Sequence, residues 1–211
     1  MRIALVLYGK RRDYEKCRTT WNQFKQAYDP DIFYHGWGSD HVEGTLNGTK
    51  TKGIMISQDI DFSHLHQGIN QYSSSAVNVL PQMYSILQSD RIRVDYENIM
   101  GFKYDWIVRS RFDLSLHFPT TIRFDVLDAK QHYVCANHWP GLNDMYDDNI
   151  MMSSSDNMRF ISHRMFDYTL IQILNHKVIP SGEQILGSYI KSNSIVVNKI
   201  ESLNFTLGRN L

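Results

Sequence analysis

The chain opens on Met1-Arg2-Ile3-Ala4-Leu5-Val6-Leu7, a nearly continuous apolar run. Such a run suits a strand buried on both faces of a parallel sheet, because a half-exposed strand alternates polar with apolar. A polar loop from Tyr8 to Arg12 follows, and then Tyr14, Cys17, Trp21, Phe24 and Tyr28 recur at helical spacing until Pro30 stops the pattern. Asp31 to His35 predicts a second strand, which completes a βαβ unit. Residues 36–53, rich in Gly, Thr, Ser and Asn, read as a long loop suited to a lid, and Ile54 to Ile60 as a short strand. From Ser74 to about Phe102 the spacing is helical, with a kink expected at Pro81 and a boundary near Asp90. Further strands are predicted at Tyr104–Val108, His132–Ala136 and Ile195–Val197, with helices capped by Asp156 and by Ser181. Strands alternating with helices predict an α/β sandwich around a mainly parallel sheet.

Length and charge narrow the class. At 211 residues without an internal repeat, the chain is read as one domain over 1–211, suited to be the first domain of a longer polypeptide. Twenty-two basic residues balance 22 acidic ones, so the chain lacks the surplus that displaces counterions from nucleic acid. No apolar run approaches the ~20 residues of a membrane span. The run at the start is too short for a signal-peptide core, and a cytoplasmic location is expected. Cys17 and Cys135 lie far apart, which indicates neither a disulfide framework nor a structural zinc site. His64 and His66 have no third ligand beside them, and the sequons at Asn47 and Asn204 carry little weight without a secretory signal.

Three segments are candidates for chemistry. In Tyr104-Asp105-Trp106-Ile107-Val108-Arg109-Ser110-Arg111-Phe112-Asp113 an apolar strand runs into two arginines and an aspartate. At the carboxyl end of a strand, where α/β sheets bind ligands, Asp113 suits a divalent cation, and Arg109 and Arg111 suit phosphate oxygens. The same residues equally make an internal Arg–Asp ion pair. In Tyr8-Gly9-Lys10-Arg11-Arg12 a glycine and three cations precede a helix N-terminus, which is either an anion site or a solvated basic turn. Asp144, Asp147 and Asp148 precede the apolar Ile150-Met151-Met152, and one of them suits a general base, while solvation in a surface loop is the alternative, for Asp147 above all. Glu183 either orients a substrate hydroxyl or supports the first turn of its helix. Trp37, Trp106 and Trp139 are core aromatics by default, with sugar stacking as the alternative.

Taken together, several of these segments resemble one family. Tyr8-Gly9-Lys10-Arg11-Arg12, Trp21, Asp31-Ile32-Phe33-Tyr34-His35-Gly36-Trp37, Gln82-Met83-Tyr84-Ser85-Ile86, Trp106 through Leu114, and Asp148 through Ser155 stand in an order similar to that of GT-A type nucleotide-sugar glycosyltransferases. The likeness is greatest to the small viral and bacterial polysaccharide or capsid enzymes. The resemblance implies a Rossmann-like fold, a UDP-sugar donor carrying a glucose- or rhamnose-like sugar, a glycan or glycoprotein acceptor, and Mn²⁺ or Mg²⁺. It puts Asp113 at the last position of the metal-binding DxD motif, whose first position is Arg111 here. Tyr8, Gly9, Arg11, Arg12, Gln82, Arg109 and Arg111 would line the donor, and Asp148, then Asp144, would act at the acceptor. The rival readings are a nucleotide-sugar-binding module without turnover and a metal-dependent phosphoesterase.

Overall fold

The computed structural model describes residues 1–10, 14–38, 50–66, 71–72, 78–117, 122–135, 146, 148–176, 178–179, 181–200 and 204–207. Its framework is a seven-stranded sheet flanked by helices on both faces. Strand β1 (Ile3–Tyr8) leads through α1 (Tyr14–Tyr28) to β2 (Asp31–Trp37) and then β3 (Thr51–Ser57). A two-residue strand β4 (Gln71–Tyr72) precedes α2 (Val79–Met100), which returns the chain to β5 (Trp106–Arg111). After β6 (Leu114–His117) and β7 (His132–Cys135) come β8 (Ile150–Ser153), α3 (Ser155–His176), β9 (Val178–Ile179) and α4 (Gly182–Ser192). The strands β10 (Val197–Ile200) and β11 (Asn204–Leu207) follow.

The sheet order is β10-β7-β8-β5-β1-β2-β3. Every neighbour pair is parallel except the two made by β8, which runs antiparallel to both β5 and β7. The mainly parallel sheet expected from the apolar runs is therefore present, with one reversed strand. Two small sheets, β6 with β11 and β4 with β9, stand apart from it.

Alternation along β1 divides the core. Ala4, Val6 and Tyr8 face α2, α3 and α4, while Ile3, Leu5 and Leu7 face α1. All six residues of β1 are buried, as a central parallel strand requires. Helix α1 covers its face with Tyr14, Cys17, Trp21 and Phe24, the residues that the helical spacing picks out.

Several boundaries differ from expectation. Gly36 and Trp37 belong to β2, and Thr51 to Gly53 belong to β3, which ends at Ser57. The long-loop and lid reading of 36–53 thus loses both its ends, and residues 39–49 lie outside the described residues. Helix α2 runs unbroken through Asp90 and carries Pro81 in its first turn, where a missing N–H disrupts no helical bond. It stops at Gly101, whose left-handed φ of 68° and N–H bond to the Glu97 carbonyl close the helix. Strand β5 is shifted along the chain so that Arg109 to Arg111 are part of it, and β10 likewise starts at Val197. Helix α3 starts at Ser155, which leaves Asp156 exposed in its first turn rather than at the cap. Ser181 does cap α4, in a reciprocal capping box with Gln184.

Candidate functional site

The strand order reverses its direction of growth at β1. From β1 the chain builds outward to β2 and β3, and α2 then carries it back to place β5 on the other side of β1. In an open α/β sheet the crevice outside the carboxyl ends of two such strands is the place for a ligand. Here that crevice lies above Tyr8 and Arg111, which are paired in register as the last residues of their strands.

The reversed strand brings the acidic segment to the same place. Because β8 runs against β5, its amino-terminal end meets the carboxyl end of β5. The Arg111 N–H accordingly donates to the Asn149 carbonyl at 3.2 Å. Tyr8 Oη donates to the Asp148 carbonyl at 2.7 Å, which fixes Asp148 over β1.

Arg111 and Asp113 are bound to each other. Arg111 Nε and Nη2 donate to the two carboxylate oxygens of Asp113 at 2.8 and 2.7 Å, and Nη1 reaches Asn149 Oδ1 at 3.3 Å. The Asp113 side chain is 8% exposed and that of Arg111 28%, so the aspartate is covered while the guanidinium reaches the surface. Burial opposes the Arg111 charge, but the hydrogen-bonded carboxylate more than offsets this and raises its pKa. Phe112, between the two, is anchored in the α1-side core. Its ring meets Tyr14 and Tyr34 edge-on, and its carbonyl accepts from Trp21 Nε1 at 3.2 Å. With its apex seated in the core, the turn holds Arg111 and Asp113 together on either side.

Asp148 is buried, and its Oδ2 accepts from Gln82 Nε2 at 2.6 Å. The same oxygen lies against Gly182, the first residue of α4, so closely that a Cβ there would collide with it. A side chain at 182 would therefore displace the Asp148 carboxylate from its present seat. Gly9 is required for conformation, since β1 ends on a φ of 97°.

Arg109 sits elsewhere. It lies in the interior of β5, fully buried, and Nη1 reaches Ser162 Oγ of α3 at 3.2 Å. Its Nε and Nη2 have no hydrogen-bond partner among the described residues. Burial lowers its pKa, partly opposed by Tyr8, Asp90 and Asp148. It underlies the crevice and does not line it.

Of the residues picked out in the sequence, the structure brings Tyr8, Gly9, Gln82, Arg111, Asp113 and Asp148 to this one edge. Arg11, Arg12, Asp144, Asp147 and Trp139 lie outside the described residues. Trp37 and Trp106 are buried core aromatics, the default reading for both. Gly182 and Asn149 were missed as site residues. The cue to Gly182 was its place directly after a capping serine. Asn149 carried no cue, because its role depends on the reversed pairing of β8.

His35 was also passed over. On β2, beside Tyr8 in register, it is buried between Ser85 Oγ, 2.6 Å from Nδ1, and Ser57 Oγ, 2.9 Å from Nε2. Burial lowers its pKa to about 4, so the ring is neutral at pH 7.

The donor set can be tested against a divalent ion. Both oxygens of Asp113 are engaged by Arg111, and Asp148 Oδ2 is engaged by Gln82. Among the described residues no three His, Cys, Asp or Glu side chains stand together as ligands. Among the described residues the positive charge at this edge is that of Arg111, and Asp113 and Asp148 each already accept a side-chain hydrogen bond.

No protein-family model matches the chain, and no curated protein matches it significantly. Among the described residues no helix is long and apolar enough to cross a membrane.

Proposed function

We propose that the chain is a GT-A-like glycosyltransferase that moves a hexose or deoxyhexose from a UDP-sugar to a hydroxyl of a glycan or glycoprotein. The observation that supports this reading is the convergence of Arg111, Asp113, Asp148 and Gln82 at the switch point between β1 and β5. That crevice is the ligand position of a Rossmann-like sheet. Its half-buried cation, Arg111, is a planar guanidinium suited to two phosphate oxygens at once.

In the transfer, the bond between the anomeric carbon and the diphosphate oxygen breaks, and a bond to the acceptor oxygen forms. Arg111 stabilises the charge on the departing diphosphate, a preorganised electrostatic contribution. The acceptor proton passes to a carboxylate, for which Asp148 is the candidate. The test is to incubate the protein with a panel of nucleotide sugars and a hydroxyl acceptor, with and without Mn²⁺. UDP release from a UDP-hexose or UDP-deoxyhexose is expected, together with its loss in Asp113→Ala. Release of no nucleotide from any donor overturns the reading.

One observation favours a second reading, a module that binds the nucleotide sugar without transferring it. Asp148 is only 3% exposed, and its carboxylate is turned to Gln82 and Gly182. Saturable binding of a UDP-sugar without release would select that reading.

A further inference from the structure

The aspartate that the DxD comparison assigns to a metal has a different set of contacts in this fold. Both of its oxygens are held by one guanidinium in a fork-to-fork pair, at 2.8 and 2.7 Å. A hard divalent ion binds carboxylate oxygens, and here each Asp113 oxygen already accepts a guanidinium N–H, so an ion at this carboxylate would have to share it with a cation held against it. The guanidinium is differently placed. Of its five N–H donors, three are used by Asp113 and Asn149, and the other two have no partner among the described residues. Its side chain is the exposed member of the pair, at the carboxyl end of β5 where the crevice opens.

Three contacts fix this arginine before any ligand arrives. Asp113 holds Nε and Nη2, Asn149 holds Nη1, and the Asn149 carbonyl holds the backbone N–H. Phe112, pinned by Trp21, Tyr14 and Tyr34, keeps the turn from opening. A long side chain ordinarily loses rotamer freedom when it grips an anion. Here the fold has already imposed that loss, so the remaining donors are preorganised for a dianionic group.

We propose that Asp113 is a positioning residue for Arg111, and that this preformed guanidinium binds the diphosphate of the nucleotide without a divalent ion held by the chain. The inference rests on the nucleotide-sugar reading and departs from it on one point, the source of the positive charge. Arg111, at the first position of the motif, supplies the charge that an ion would, and Asp113 aims it. No bond is made or broken in this step.

The test measures UDP binding by titration calorimetry, in EDTA and in Mn²⁺, and does not depend on turnover. UDP is expected to bind the wild-type chain with affinities that agree within about twofold in the two conditions. Arg111→Gln is expected to weaken binding by about tenfold or more in both, the loss of a charge-assisted hydrogen-bond pair. Asp113→Asn keeps the side-chain volume and removes the charge that fixes the fork, and it is expected to weaken binding by about three- to tenfold in both. If Mn²⁺ tightens wild-type binding by tenfold or more and Asp113→Asn erases only that increment, Asp113 is a metal ligand and the inference fails alone. If UDP binds in neither condition, the nucleotide reading fails and carries the inference with it. The wild-type comparison decides the question even if a variant does not fold.

Discussion

Arg93 and Arg111 have the same chemistry and opposite surroundings. Arg93, on α2, donates Nε to Asp90 at 2.8 Å, contacts Glu97 at 2.7 Å through Nη1 and reaches Ser155 Oγ at 2.7 Å. The Arg93 and Asp90 side chains are 0% exposed. Ser155 Oγ in turn donates to Glu97 Oε2, which closes the cluster between α2 and the start of α3. Arg111 makes a pair just as short, but at a strand end with its guanidinium reaching the surface. A short ion pair alone therefore does not mark a site. Position in the topology does, since the α2 cluster is sealed between layers and the β5 pair stands at the switch point.

The comparison is broken most severely at Arg93. Arg93→Met leaves Asp90 and Glu97 as buried charges without their cation, at a cost of about 3–5 kcal/mol. Chemical denaturation should show that loss, with UDP binding little changed wherever the variant remains folded. Replacing all three charges together, as Asp90→Leu, Arg93→Met and Glu97→Leu, is expected to recover most of the stability. A loss below about 1 kcal/mol in the single variant would mean that the cluster is not sealed.

The next effect is that of pH on His35. Its folded pKa of about 4 lies below the ordinary value of 6.5 because burial disfavours the charged ring. The unfolded chain therefore binds a proton between pH 6.5 and 4 that the folded chain does not, and stability falls as pH drops through that window. The largest loss from this one group is about 3 kcal/mol. His132, lowered to about 4 by burial and by Arg109, adds a loss of the same sign. Asp90 is a separate case: burial raises its pKa, but Arg93 and His163 more than offset this, so its contribution disappears only in stronger acid, below the ordinary 3.8. Denaturation midpoints between pH 7 and 4.5 should fall less steeply in His35→Asn than in the wild type. Equal slopes would show that His35 takes up its proton in the folded state.

How far the sequence revealed these features follows from the range of the contacts involved. The apolar run of β1 and the capping box at Ser181 depend on neighbours in sequence, and both are as the pattern predicts. The α2 cluster was hidden because Asp90, Arg93 and Glu97 recur at three and four residues, the spacing of a solvated face. The same spacing aligns them with Met83, Ile86 and Val94, all buried. Arg109 and Arg111 lie on one face of β5, and residue type alone does not tell which of them is covered. Ser162 of α3 decides it for Arg109. The closeness of Asp148 to Arg111 depends on β8 being reversed, a pairing across some 40 residues that no local pattern encodes.

The start of α4 gives the next smaller effect. Gly182→Ala places a methyl group against Asp148 Oδ2 and should push that carboxylate off Gln82. A cost of about 1–3 kcal/mol is expected for the forced shift, with a fall in UDP release that exceeds what the stability loss explains. Ser181→Ala removes the cap from Gln184 N–H, at a cost of about 1 kcal/mol, and leaves Asp148 seated. Thermal melts of the two variants beside their release rates separate helix stability from carboxylate placement. Equal release in both would mean that the seat of Asp148 is structural only.

The smallest expected change in stability is at Arg111, and it completes the contrast with Arg93. Arg111→Gln removes the cation from Asp113, which is covered, but the space left by the half-buried guanidinium opens that carboxylate to water. The expected cost is about 1 kcal/mol, nearer to that of an exposed pair than of a sealed one. Combining it with Asp113→Asn removes the unpaired charge, and stability should return toward the wild type while UDP binding does not. One arginine would then matter to the fold without touching nucleotide, and the other to nucleotide with little effect on the fold. If Arg111→Gln destabilised the chain as much as Arg93→Met, the β5 pair would be a second structural cluster, and the crevice above it would lose its cation.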